Sequence, residues 1–271
     1  MNALSTSILT FTLIGGPTVL LDYHGLRLIT DPTFDACGCA YTRNHVTLRK
    51  TSSPACTPAE LGRIDAVLLS HDQHADNLDD AGRALLGRVP LTLTTPVGAG
   101  RLGGTARGLA PWESVTLTAP DGAAVRITAT PARHGPAGIE RLAGDVTGFM
   151  IEAEGTPAVY VTGDTVYYEG VAEIARRFSP EVILAFAGAA RPRGPMDLTM
   201  SANDLLDTAQ AFPRALILPV HSEGWEHFTL PAEAARQVFE NLGQGPRMEL
   251  LTRGRPFTYP KPPTSEAPAS E

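Results

Sequence analysis

The chain of 271 residues is 43% apolar and 19% charged, with a formal net charge of −7. That length suits one large domain on a single core, and the acidic balance excludes a phosphate-backbone partner, which needs a basic surface. Cys37, Cys39 and Cys56 form no CxxC pair and no apolar run reaches bilayer-spanning length, which excludes disulfide-stapled and membrane-embedded classes and makes the cytoplasm the expected setting.

The first residues alternate with a period of two. "ILTFTLI", "TVLLDY" and "LRLITD" read as strands, separated by turns at Gly15-Gly16-Pro17 and His24-Gly25. "TPAE" at 57–60 has the form of a capping box with proline at the first helical position. "AVLLS" follows as a short apolar strand. "LDDAGRALLG" then reads as a helix ended by Gly87, with Asn77 placed to cap its start. "LTLTTP", "SVTLTAP", "AVRITATPA", "GFMIEAE" and "AVYVTGD" continue the strands. In the second half helices and strands alternate. "EGVAEIARRF" is a helix, "EVILAFAG" a strand, "SANDLLDTAQAF" a helix capped by Ser201, "ALILPVH" a strand, and "PAEAARQVFENLG" a helix closed by Gly243. Strand meanders interleaved with covering helices predict an α/β protein, a four-layer αββα sandwich. Residues 1–255 are expected to form this domain, and 256–271, rich in proline, serine and glutamate, a flexible tail.

Candidate metal ligands sit just past the strands. His71, His74 and Asp76 follow "AVLLS", His134 follows "AVRITATPAR", Asp164 follows "AVYVTG" and His221 follows "ALILPV". Imidazole and carboxylate suit divalent zinc, manganese or iron. A carboxylate such as Asp164 has two oxygens and can bridge a pair of ions. Each residue also has an ordinary reading, as a hydrogen-bonding histidine, a turn aspartate or a solvated loop acid. Four strand ends carrying the same donor chemistry are a far rarer coincidence than any one of them.

As an ordered set, "LIGGPTVLL", "LITDPTF", "LSHDQHADNLD", "TPARHGP", "VTGDT" and "LPVHSEGW" resemble the metallo-β-lactamase superfamily hydrolases, most closely the branch of the ascorbate-6-phosphate lactonases, from about Leu9 to about Phe228. The resemblance implies the metallo-β-lactamase fold with a metal site at one edge. It implies that His134 serves a first metal, that Asp164 bridges and that His221 serves a second. The family's H-x-H-x-D-H signature is altered here to "HDQHADN", with one residue inserted and Asn77 in the place of the last histidine. Either His74 completes the first site and the loop bulges, or Gln73 does so through its amide oxygen. Pro17 stands where the family has a polar residue. Asp31 in "TDP" resembles the family's buried aspartate, which would orient the His71 loop; an Asp-Pro turn is its plain alternative. His227, six residues past His221, either faces the cleft or is structural.

The implied chemistry is hydrolysis by metal-activated water, with zinc expected before manganese or iron, one or two ions, and Asp76 holding or deprotonating the water. The expected substrate is a small lactone, ester or phosphoester, met by Arg133, Arg191 or Arg193 if anionic. Neither nucleic acid nor membrane is an expected partner, and a homo-oligomer remains open. A phospholipase D-like phosphodiesterase, an iron oxygenase, and a degenerate, metal-poor binding or sensor module are the alternatives on the same fold.

Overall fold

The computed structural model describes residues 9–260. The period-two alternation of the opening segment folds as an antiparallel meander, β1 (Leu9–Gly15), β2 (Thr18–Tyr23) and β3 (Leu26–Thr30). A separate hairpin of β4 (Ala40–Arg43) and β5 (Val46–Arg49) follows. Three short parallel strands then extend the first sheet beyond β3: β6 (Ala66–Leu68), β7 (Thr92–Thr94) and β8 (Ala106–Gly108). Their crossovers carry α1 (Asp80–Leu86) and α2 (Pro96–Leu102).

The second sheet begins as another meander, β9 (Ser114–Thr118), β10 (Ala124–Pro131), β11 (Thr147–Ala153) and β12 (Thr156–Val161), with the short α3 (Glu140–Ala143) between β10 and β11. After α4 (Glu169–Arg177) comes β13 (Val182–Phe186), and after α5 (Ala202–Ala211) comes β14 (Leu216–Val220), both added in parallel. Following α6 (Ala232–Asn241), β15 (Pro256–Tyr259) returns to pair with β1. The strand orders are β15-β1-β2-β3-β6-β7-β8 and β14-β13-β12-β11-β10-β9.

Alternation along the strands sorts the apolar residues into three layers of core. Leu28 and Leu68 of the first sheet face Ile127, Phe149, Val161 and Leu184 of the second. Their chain neighbours Ile29, Val67 and Leu69 point the other way, onto Leu85 and Leu86 of α1. Met150, Tyr160 and Ile183 likewise face outward, under Ile174 of α4, Leu205 and Phe212 beside α5, and Phe239 of α6. The result is the expected αββα sandwich, with the metallo-β-lactamase arrangement of layers. Ser201 caps α5 in a full capping box.

Three expectations are corrected. The Thr57–Glu60 capping contacts form, with the Thr57 amide donating to Glu60 Oε2 at 2.7 Å, but the segment is a turn and not a helix, because Gly62 at φ +71° ends it before a second turn can propagate. The expected tail does not begin at 256, since Pro256–Tyr259 form a ladder strand; residues 261–271 lie outside the described residues. Asn77 does not cap α1. Asp79 does, accepting from Gly82 N at 2.8 Å, while the Asn77 side chain turns inward. A carboxylate beats the amide here because it also accepts from the amides of Phe34 and Asp35 and from Lys50 Nζ at 2.8 Å.

The Lys50–Asp79 pair is buried on both sides. Breaking a buried pair from one side strands a charge, at a cost of about 3–5 kcal/mol. Asp79→Ala is therefore expected to lower unfolding free energy in urea by about that amount, and Lys50→Met combined with Asp79→Ala to lose less than the sum of the single changes. Additive losses would show that the two side chains are not coupled.

Candidate metal centre

The chain delivers its donors from one end of both sheets. Ser70 and His71 leave β6, His134 leaves β10, Asp164 leaves β12, and His221 follows β14 directly, held by its amide on the Gly16 carbonyl at 2.9 Å. The altered Gly15-Gly16-Pro17 turn thus seats His221, which sits at φ +55°. His71, Asp76, His134, Asp164 and His221 are buried, and His74 is partly so.

Two groups of three result, His71 with His74 and His134, and Asp76 with Asp164 and His221, each with donor atoms within 4.8 Å of one another. Asp164 stands between them. Its Oδ2 lies 3.4 Å from His134 Nε2 and 3.9 Å from His71 Nε2, and its Oδ1 lies 3.3 Å from His221 Nε2. His221 Nε2 is 3.6 Å from Asp76 Oδ2.

The proton positions follow from the partners behind the rings. The Leu198 carbonyl only accepts, so the proton of His134 is on Nδ1, 2.7 Å away, and Nε2 presents a lone pair inward. Ser70 Oγ spends its hydrogen on Asp31 Oδ1 at 2.6 Å, so it accepts from His71 Nδ1 at 2.9 Å and His71 Nε2 is also bare. His74 Nδ1 lies 2.9 Å from His71 Nε2 and 3.1 Å from His134 Nε2. One N–H cannot satisfy both, whereas one cation accepts all three nitrogens. In the other group both nitrogens of His221 and Oδ1 of Asp76 are buried without a hydrogen bond. Orphaned imidazoles and carboxylate oxygens at these distances fit divalent metal.

The inserted residue is absorbed between His71 and His74. Asp72 turns out to Arg101 of α2, with its carboxylate 3.0 Å from Nε. Gln73 turns to Asp145, donating from Nε2 to Oδ1 at 2.6 Å, while its Oε1 is buried without a hydrogen bond. Its amide lies so close to Gly144, at φ +92°, that a Cβ there would come within 2.6 Å of Nε2. Asp145 also accepts from Thr95, the cap of α2, so the bulge is pinned to that helix.

Asn77 lies beneath the groups. Its Nδ2 is 3.2 Å from Asp164 Oδ1 and 3.5 Å from both Asp31 Oδ1 and Ser70 Oγ. Asp31, at φ +28°, accepts from the Ser70 amide at 3.0 Å, linking the end of β3 to the His71 loop. His227 Nε2 reaches Asp76 Oδ2 at 2.9 Å, and its ring borders the cleft. Ser70 and the Leu198 carbonyl had no signal in the sequence beyond adjacency, because their partners are distant in the chain.

Electrostatics follow from burial. It pushes the His71 imidazole well below its ordinary range, and His74 down to about 4, aided by His134. Burial opposes the Asp76 and Asp164 carboxylates, but the His227 hydrogen bond for Asp76 and the His221 charge for Asp164 outweigh it and hold both below the usual range. Buried Asp31 is raised to about 8 despite its bonds from Ser70. Burial lowers His221 too, but Asp164 more than reverses it.

Residues 26–222 match the model of the "Beta-lactamase superfamily domain" family. The chain belongs to that family. Among curated relatives, it is 23% identical over 261 residues to the UPF0173 protein YddR of Bacillus subtilis, covering 93% of this chain and 100% of that one. It is 26% identical over 271 residues to a UPF0173 metal-dependent hydrolase of Herpetosiphon aurantiacus, at 93% and 98% coverage. Among solved structures, an isothiocyanate hydrolase from Delia radicum gut bacteria superposes with a TM-score of 0.78 at 24% identity, covering 92% and 98%. A "possible metal-dependent hydrolase" from Veillonella parvula gives 0.79 at 20%, covering 92% and 99%. These structures share the metallo-β-lactamase fold. Nothing in them singles out the ascorbate-6-phosphate lactonase branch.

Two outcomes are expected of this geometry. His74→Ala should strip metal more severely than the roughly 10- to 100-fold loss typical of removing an outer partner, while Gln73→Ala should leave metal content nearly intact by elemental analysis. The reverse ranking would place the amide, not the imidazole, at the centre. Protons compete with metal only below the pKa of the free ligand. With His71 held low and His74 near 4, the first ion should hold from neutral pH to about pH 5 and be lost steeply below, whereas the second, which needs His221 held above its ordinary range by Asp164, should weaken already as pH falls through neutrality. Competition with a chelator across that range distinguishes the two.

Proposed function

We propose that this protein is a metal-dependent hydrolase acting on a small lactone, ester or phosphoester, with zinc the first expectation and manganese or iron next. One observation carries the reading: two buried donor groups meet at Asp164 beneath a cavity of about 620 Å³ whose lining includes His74, Asp76 and His134. That volume is the size of small-molecule sites. His71, His74, His134 and Asp164 would hold one ion; Asp76, Asp164 and His221 would hold another. Ions held there lower the pKa of bound water toward neutrality and polarise a substrate oxygen.

The chain's own groups do the rest. His227 Nε2 donates to Asp76 Oδ2, which leaves the unpartnered Oδ1 free to orient a water or take its proton. The proton on His134 Nδ1 is fixed by the Leu198 carbonyl, so that ring cannot swing away. Asp31 and Ser70 fix His71 in the same manner. Strand ends supply rigidity, and the apolar layers behind them exclude water. The departures at Gln73 and Asn77 motivated the metal-poor alternative; all six candidate ligands are nevertheless gathered, which supports the enzyme reading.

The test is metal analysis of protein purified without chelator, joined to assays on lactones, aryl esters, aryl phosphodiesters and an isothiocyanate, the last being the class named for one structural neighbour. Hydrolysis of one class, lost with chelator and restored by metal, is expected. Asp76→Asn should lower kcat by on the order of 10²–10⁴-fold. Metal-free protein that binds none on addition would end the reading. Because the second group has one imidazole against three in the first, activity should rise as a second equivalent of metal is added to a one-metal form. Full activity at one equivalent would make the centre mononuclear.

A further inference from the structure

The floor of the cavity is the donor set, represented by His74, Asp76, His134 and His227. Besides Asp80 and Arg83 of α1 and Arg101 of α2, its wall comes from three segments that carry no ligand: the β4–β5 hairpin, the α3 region and the loop at 190–198. Each contributes apolar surface, including Val46, Leu48, Ile139 and Met196. Leu142 on α3 is 68% exposed, one of three large apolar side chains so exposed among the described residues. Each segment also contributes one arginine, Arg43, Arg141 and Arg193 respectively.

Charge pairing separates these three from Arg101 and Arg191; Arg83 of α1, which also borders the cavity, is likewise without an ion pair among the described residues and donates to the Asp72 carbonyl at 3.2 Å. Arg101 is neutralised by Asp72 and Asp145, and Arg191 by Asp197. Arg133 lies over the Tyr168 ring, 4.5 Å from its centre, and does not border the cavity. Arg43 and Arg193 donate only to backbone carbonyls, those of Gln73 at 2.9 Å and Asn44 at 3.4 Å. Arg141 makes no ion pair among the described residues. Asp72, Asp80 and Asp145 also border the cavity, yet among the described residues no carboxylate pairs with these three guanidiniums. A carbonyl partner holds an arginine in place without cancelling its charge. Guanidiniums so placed, in a concave and partly apolar site, are matched to an oxyanion.

We propose that the mouth of the cavity binds an oxyanion at the substrate's end remote from the scissile bond, making the preferred substrate a small amphiphilic acid, with its ester or lactone carbonyl at the floor and an apolar body between. The proposal rests on the hydrolase reading, and it gives a reason for three separate segments to converge. Carboxylate and phosphate share this chemistry.

The test uses metal-loaded protein and the mono-p-nitrophenyl ester of adipate, against the matched neutral ester in which the free carboxylate is an amide, and a phosphonate-ended analogue. At low ionic strength kcat/KM should favour an anionic ester by about tenfold or more, carried by KM, and the preference should shrink with salt. The two anionic arms tell carboxylate from phosphate. In Arg43→Gln/Arg141→Gln/Arg193→Gln the anionic-to-neutral ratio should fall toward one. Arg126→Gln, at an exposed pair with Glu152 away from the cavity, should keep it. A wild-type ratio near one, or an unchanged ratio in the triple variant, overturns the proposal. If no ester turns over, the ester arm of the hydrolase reading fails by itself, and titration with adipate against adipamide still decides the mouth: equal affinities overturn the anion site, and an arginine-dependent preference for adipate upholds it.

Discussion

Lone pairs crowded together repel, and the centre of this protein is a crowd of them. Four imidazoles and two carboxylates point their free nitrogens and oxygens at one another in a largely buried space. Such an arrangement is stable only when a cation fills it or a scaffold forces it. The scaffold shows how forcing is done. Three of the donor residues have a partner behind them, Leu198 behind His134, Ser70 and then Asp31 behind His71, and the Gly16 carbonyl behind the His221 backbone. The two sheets bring these supports to one edge, and three apolar layers keep the edge from spreading.

The supports are of unequal kinds, and this has meaning. His134 rests on a carbonyl, which holds only one tautomer. His71 rests on a relay whose far end, Asp31, is itself pushed up to about 8 by burial. That relay also touches Asn77, whose Nδ2 lies 3.2 Å from the Asp164 oxygen facing His221. The amide thus bonds an oxygen that a second ion would share. In the place of an imidazole ligand the chain has a hydrogen-bond donor to the bridging carboxylate.

Much of the architecture was legible because it depends on local patterning. Alternation in "LRLIT" and in "VILAF" sorted residues between the layers, and Ser201 marked the start of α5 from three residues' spacing. The gathering of His134, Asp164 and His221 was legible because strand ends are predictable places. What failed was competition between equally plausible local partners. Asn77 and Asp79 both suit a cap, and the decision came from Phe34, Asp35 and Lys50, which no short window contains. His227 looked like an aromatic-segment residue, and its contact with Asp76 crosses 151 positions of chain. The β4–β5 hairpin, α2 and α3 were missed, being short and weakly periodic, yet they shape the cavity wall and pin the bulge.

The pairing of β15 with β1 joins the two ends of the described chain. In synthesis order, β1 emerges first and finds β2 at once, but its other edge waits for Pro256–Tyr259. By then all six donor side chains have been made, the last at His221. A nascent chain therefore carries a finished set of metal ligands on a sheet with an open border. An open border is the surface on which strands of separate molecules add to one another. Pairing of β15, rather than arrival of the final ligand, is the step that seals this edge against its neighbours.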